Sequence, residues 1–96
     1  MKKILIIDDD KIFSKILRDS LVDGRQGKYE VISCFDGAEG FEEAKKEHPD
    51  LIMLDLMMPN ITGIEFLKKL RAEDWGKDIP VMVETQLSDL GKMSEG

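Results

Sequence analysis

Ninety-six residues with a formal charge of −6 bound a single domain, large enough to bury a core but with little margin. The acidic balance argues against nucleic acid as a direct ligand, because gripping a phosphate backbone needs a basic surface. One cysteine, Cys34, excludes an internal disulfide and suits a reducing compartment. No apolar run approaches the roughly 20 residues of a membrane span, and Met1-Lys2-Lys3 does not open a signal peptide, so a cytoplasmic protein without membrane contact is expected.

Apolar runs alternate with amphipathic stretches, the pattern of βαβ units on a parallel sheet. The first strand is expected at about residues 3–7, where Ile4-Leu5-Ile6-Ile7 leads into Asp8-Asp9. A helix from near Asp10 places Ile12, Phe13, Ile16, Leu17 and Leu21 on one face, with Asp23-Gly24 and Gly27 at its end. Tyr29 to Phe35 is the second strand, with Cys34 as a small buried residue. Asp36-Gly37-Ala38-Glu39 forms a capping box for a helix with Ala38, Phe41 and Ala44 inward, closed by Pro49.

The third strand is expected at 51–55, Leu51-Ile52-Met53-Leu54 ending in Asp55. Pro59-Asn60 is turn chemistry. Thr62-Gly63-Ile64-Glu65 is a second capping box, opening a helix with Ile64, Leu67 and Leu70 buried and with Lys68, Lys69 and Arg71 solvated. Trp75-Gly76 ends that segment and Pro80 begins a fourth run, Val81-Met82-Val83. Residues 84–96 are mostly polar with weak periodicity.

Two apolar runs ending in aspartate carry the chemistry. Open α/β sheets bind ligands at the carboxyl ends of their strands, so Asp8, Asp9 and Asp55 would converge at one edge. Clustered carboxylates raise one another's pKa unless a cation compensates, and a hard Mg²⁺ is the usual answer where phosphoryl groups are handled. N-capping by Asp9 or Asp10, with a solvated strand end at Asp55, is the plainer alternative.

Ile4 to Asp9, Asp36-Gly37, Pro49 to Asp55, Met58-Pro59, Gly63, and Ile79-Pro80-Val81 through Thr85 together resemble a response-regulator receiver domain of two-component signalling. The resemblance covers about residues 3–87, within a single domain over 1–96 that ends in a polar tail at 88–96. It implies a flavodoxin-like open parallel sheet of order 2-1-3-4, with the family's fifth strand and last helix missing. It also implies Asp55 as phosphoacceptor and a Mg²⁺ held by Asp8, Asp9, Asp55 and the backbone carbonyl of Met57. The Thr85 hydroxyl would bond the phosphoryl oxygen, and a histidine kinase or phosphotransfer protein would be the donor. No enzyme activity beyond self-phosphorylation and dephosphorylation at Asp55 is implied.

The chain departs from the family at several points. The lysine at the end of a fifth strand has no counterpart, and Lys92 lies in the polar tail without a strand ahead of it. Glu84 replaces the apolar residue expected before the hydroxyl, adding charge beside an anionic site, and Gln86 replaces a small residue. Met57 and Leu87, both apolar, would leave phosphate loss slow. The missing strand would expose the edge of strand four, so a homodimer through that edge is expected. A remnant or dimeric binding module without phosphotransfer is an alternative reading. An Asp-nucleophile phosphatase is another, although Ile12 stands where that family wants Thr or Val.

Overall fold

The fold, taken from a computed structural model, is described for residues 2–25, 29–58 and 62–84. Its elements run β1 (Lys2–Ile7), α1 (Lys11–Arg25), β2 (Tyr29–Cys34), α2 (Gly37–Glu47), β3 (Leu51–Asp55), α3 (Gly63–Arg71) and β4 (Val81–Glu84). All strand pairs are parallel, as the alternating pattern implied, and the sheet order is β2-β1-β3-β4, as the family resemblance implied. β1 and β3 are the central strands. Their continuous apolar runs are what burial on both faces requires.

One face of the sheet, with Leu5, Ile7, Cys34, Ile52 and Leu54, packs against Ala44 of α2 and Phe66 and Leu70 of α3. The alternate residues Ile4, Met53 and Met82 face the other side, where with Leu21 of α1 they line a groove of about 430 Å³. Both N-caps form as the capping boxes predicted. Asp36 Oδ1 accepts from the Glu39 amide at 2.7 Å and Thr62 Oγ1 from the Glu65 amide at 3.2 Å.

The inward faces of the helices match the sequence expectation only in part: Ala44 and Leu70 are buried and Phe13, Leu17, Leu21, Phe41 and Leu67 half-buried, but other expected positions are exposed. In α1 the buried position is Ser14, with Phe13, Leu17 and Leu21 half-buried, while Ile12 and Ile16 are 75% and 61% exposed. At 100° per residue those two isoleucines lie roughly 160–200° around the helix from Ser14. In α2, Gly37, Gly40 and Ala44 are buried and Ala38 is exposed. In α3, Gly63, Phe66 and Leu70 are buried and Ile64 is exposed. Glycine marks the contact line because the helix backbone packs so closely on its neighbours there, on the Ile7 side chain at Gly40. A Cβ on Gly40 would lie 2.6 Å from Ile7 Cδ1.

The first helix ends at Arg25, just after Asp23-Gly24; Gly27 lies outside the described residues. One further expectation is corrected. Arg71 is no mere solvated charge, since its guanidinium donates to the carbonyls of Gly76, Lys77 and Ile79 at 2.8–3.1 Å and ties down the turn leading into β4.

Candidate functional site

β1 and β3 run side by side with Ile7 opposite Leu54, so the residues that follow, Asp8 and Asp55, leave the same edge of the sheet. Asp8 and Asp55 are almost completely buried and Asp9 is exposed; one carboxylate oxygen from each lies within 4.8 Å of the others. Three carboxylates, two of them deep and one open to solvent, form a donor set suited to a hard divalent cation.

Local backbone structure fixes these side chains. The Asp8 amide donates to the Cys34 carbonyl at 3.1 Å, extending the β1–β2 ladder by one bond, and Asp8 Oδ1 accepts from the Asp10 amide at 2.9 Å. Asp10 takes the N-capping role for α1, accepting from the Phe13 amide at 3.0 Å. Asp55 Oδ1 accepts from the Met57 amide at 2.9 Å. Behind it, the Gly63 amide donates to the Leu56 carbonyl at 3.3 Å, and a Cβ on Gly63 would come within 2.6 Å of the Asp55 carbonyl oxygen. Gly63 therefore lets α3 close directly onto the loop after Asp55.

Electrostatically the three carboxylates crowd one another. Burial pushes the Asp55 carboxyl up to about 6, against the pull of the Met57 amide and with Asp8 and Asp9 adding to the rise. Glu84, in register with Asp55 at the end of β4, is pushed up to about 8 by burial and then by Asp8 and Asp55. The structure thus brings Asp8, Asp9 and Asp55 together, with Met57 two residues after Asp55. Thr85, Gln86, Leu87 and Lys92 lie outside the described residues. Glu84 joins the cluster through strand register, which links it to Asp8 across more than seventy residues of sequence.

The family model for the response regulator receiver domain matches residues 4–96. The chain belongs to this family. The DNA-binding dual master transcriptional regulator RpaA of Synechocystis is 38% identical over 96 residues, covering 100% of this chain and 39% of that protein. Chemotaxis response regulator CheY4 of Vibrio cholerae superposes with a TM-score of 0.82 at 33% identity, over 100% of this chain and 78% of that one. The receiver domain of sensor histidine kinase PA1611 from Pseudomonas aeruginosa, solved with a magnesium ion coordinated in its active site cleft, shares the fold with a TM-score of 0.80 at 22% identity, over 97% of this chain and 74% of that one. The chain spans 39% of the length of RpaA and 37% of that of the probable transcriptional regulator ycf27 of Porphyridium aerugineum, to which it is 41% identical over 96 residues. These matches do not favour the phosphatase or the non-signalling remnant.

Among the described residues no helix is long and apolar enough to cross a membrane.

Proposed function

We propose that this domain, acting in the cytoplasm, accepts a phosphoryl group on Asp55 from the phosphohistidine of a kinase or phosphotransfer protein. The observation that carries this reading is the convergence of Asp8, Asp9 and Asp55 at the carboxyl edge of the sheet, in a chain of receiver ancestry. The buried, mutually repelling carboxyls fit a divalent cation. Asp8, Asp9, Asp55 and the Met57 carbonyl would hold it, and a bound Mg²⁺ supplies charge neutralisation for the transferring phosphoryl oxygens.

Within that arrangement each residue has a task. An Asp55 oxygen attacks phosphorus, the P–N bond to the donor imidazole breaks, and the nitrogen leaves with the bond pair and takes a proton. The Met57 amide holds Oδ1 of Asp55 and so orients the carboxylate. The Thr85 hydroxyl would donate to a phosphoryl oxygen. Exposed Met57 offers no polar atom on its side chain to position an attacking water, which favours a long-lived aspartyl phosphate. No turnover of a separate substrate is proposed.

The test is incubation with Mg²⁺ and acetyl phosphate followed by intact-protein mass. A gain of one phosphoryl group that disappears in Asp55→Asn supports the acceptor role. No gain in conditions where a receiver domain of known activity reacts overturns it.

A second reading concerns assembly. β4 is an edge strand among the described residues, and its Met82 and Val83 are exposed beside the groove on the sheet face. Self-association of two copies through this edge is proposed on that ground.

A further inference from the structure

We propose that Met57 is a redox-sensitive modification site: a hydroperoxide converts its thioether to the sulfoxide, and the added oxygen shortens the life of the phosphoryl group on Asp55. The inference rests on the acceptor reading above and adds to it a means of regulating the same carboxylate.

The backbone around Met57 is pinned on both sides. Its amide donates to Asp55 Oδ1 at 2.9 Å, and the preceding carbonyl, that of Leu56, accepts from the Gly63 amide at 3.3 Å. Leu56 packs against the core and Met58 lies within it, 6% exposed, while Met57 between them is turned out to solvent, 59% exposed. A thioether therefore stands in water two residues after the acceptor, on a turn whose retraction would break the bond to Asp55.

Exposure decides which methionine a small hydroperoxide reaches first. Met53 is half-buried in β3 and Met58 is in the core, so among the described methionines only Met82, 52% exposed, is comparably open. The reaction needs no reagent besides the peroxide. The sulfur lone pair attacks one peroxide oxygen, the O–O bond breaks, and the other oxygen leaves as water; sulfur loses two electrons and the peroxide gains them. An apolar side chain becomes a polar one carrying a strong hydrogen-bond acceptor, and methionine sulfoxide reductases reverse the change.

The consequence follows from the position. A thioether is a weak acceptor and holds no water in place, whereas a sulfoxide oxygen accepts from a water and keeps it beside the aspartyl phosphate. In hydrolysis the water oxygen bonds to phosphorus and the P–O bond to Asp55 breaks. Asp55 leaves with the bond pair as carboxylate, and the water proton passes to solvent. Holding the attacking water near its target lowers the entropic part of that barrier. Met82 pairs with Met53, two steps back along the strands from the Asp55–Glu84 pair, and lines the groove on the sheet face, so its oxidation leaves the acceptor untouched.

The experiment treats the protein with hydrogen peroxide and locates the added oxygen by peptide mass. The protein is then phosphorylated with Mg²⁺ and acetyl phosphate, the donor is removed, and loss of the phosphoryl group is followed by intact mass. Met57 is expected to be oxidised ahead of Met53 and Met58, and the phosphoryl half-life to fall by roughly fivefold. Reductase treatment should restore the half-life, Met57→Gln should shorten it without peroxide, and Met57→Leu should make it insensitive to peroxide. Met82→Leu should respond to peroxide as the unaltered chain does. An unchanged half-life with Met57 fully oxidised, or equal shortening in Met57→Leu, overturns the role of the sulfoxide and leaves Asp55 standing as acceptor. A Met57 thioether that survives while Met58 is oxidised overturns the modification itself. An untreated chain that gains no phosphoryl group overturns the acceptor reading, and this one with it.

Discussion

Asp55 holds its proton to about 6 and Glu84 to about 8, in each case because burial penalises the charged form and Asp8 adds repulsion. Both folded-state values lie above the ordinary ones of 3.8 and 4.5, so the stability tied to these groups is fully present at low pH. It is lost as pH rises, through about 6 for Asp55 and about 8 for Glu84. The cation-free domain is therefore expected to melt at progressively lower temperature across this window, and added Mg²⁺ to reverse the decline. Asp55→Asn removes the charge and should stabilise the cation-free fold by roughly 1–2 kcal/mol on the alkaline side. Denaturant unfolding with and without the metal, at several pH values, measures both effects; a melting temperature independent of pH would contradict them. Cys34 gives a second residue-level expectation. Burial, reinforced by Glu39, pushes its thiol up to about 12, so it should resist alkylation by iodoacetamide at neutral pH until the protein is unfolded.

Elements position these residues through close backbone approach, and this is where sequence and structure part. The apolar runs of β1 and β3 and their terminal aspartates were legible because a strand buried on both faces has no polar interruption until it leaves the core. Both capping boxes were legible because an Asp or Thr followed by Glu three residues on satisfies amides that a helix start leaves open. The helix faces were legible only in part: Ala44 and Leu70 are buried as expected, but Gly40 and Gly63 lie on the contact line and carry no hydropathy to announce it. Ile12, Ile16 and Ile64 drew the expected stripe to the wrong side. Glu84 could be read as a charge near the site but not as a neighbour of Asp8, because that adjacency depends on register across three strands. Gly63→Ala tests the close approach. Its methyl would meet Asp55 O and Leu56 Cα at 2.6 Å, so the backbone must move. A loss of about 1–3 kcal/mol is expected, together with slower phosphorylation from acetyl phosphate, whereas Thr62→Ala should cost about 1 kcal/mol with phosphorylation unchanged.

For the molecule as a whole, the two faces of the sheet are unequally covered among the described residues. α2 and α3 seal one side around Phe66 and Leu70, while the other carries the groove lined by Ile4, Leu21, Met53 and Met82. At the β4 edge Met82 is 52% and Val83 45% exposed, and the outward backbone groups of an edge strand are a template for another chain. Two copies meeting through β4 would satisfy those groups and cover both residues at once. A symmetric contact of that kind closes on itself and stops at a dimer. Sedimentation at increasing concentration is expected to show a monomer–dimer equilibrium, shifted to monomer by Val83→Lys, because a charged edge residue must be desolvated to pair. Met82→Lys should act in the same direction through the groove. The acidic cluster at the carboxyl end of β4 makes the contact sensitive to the ion. Asp55 and Glu84 of each copy would place negative charge close to the shared edge at alkaline pH, so Mg²⁺ should tighten the dimer. A compact monomer at micromolar concentration, with and without Mg²⁺, would rule out assembly through this edge.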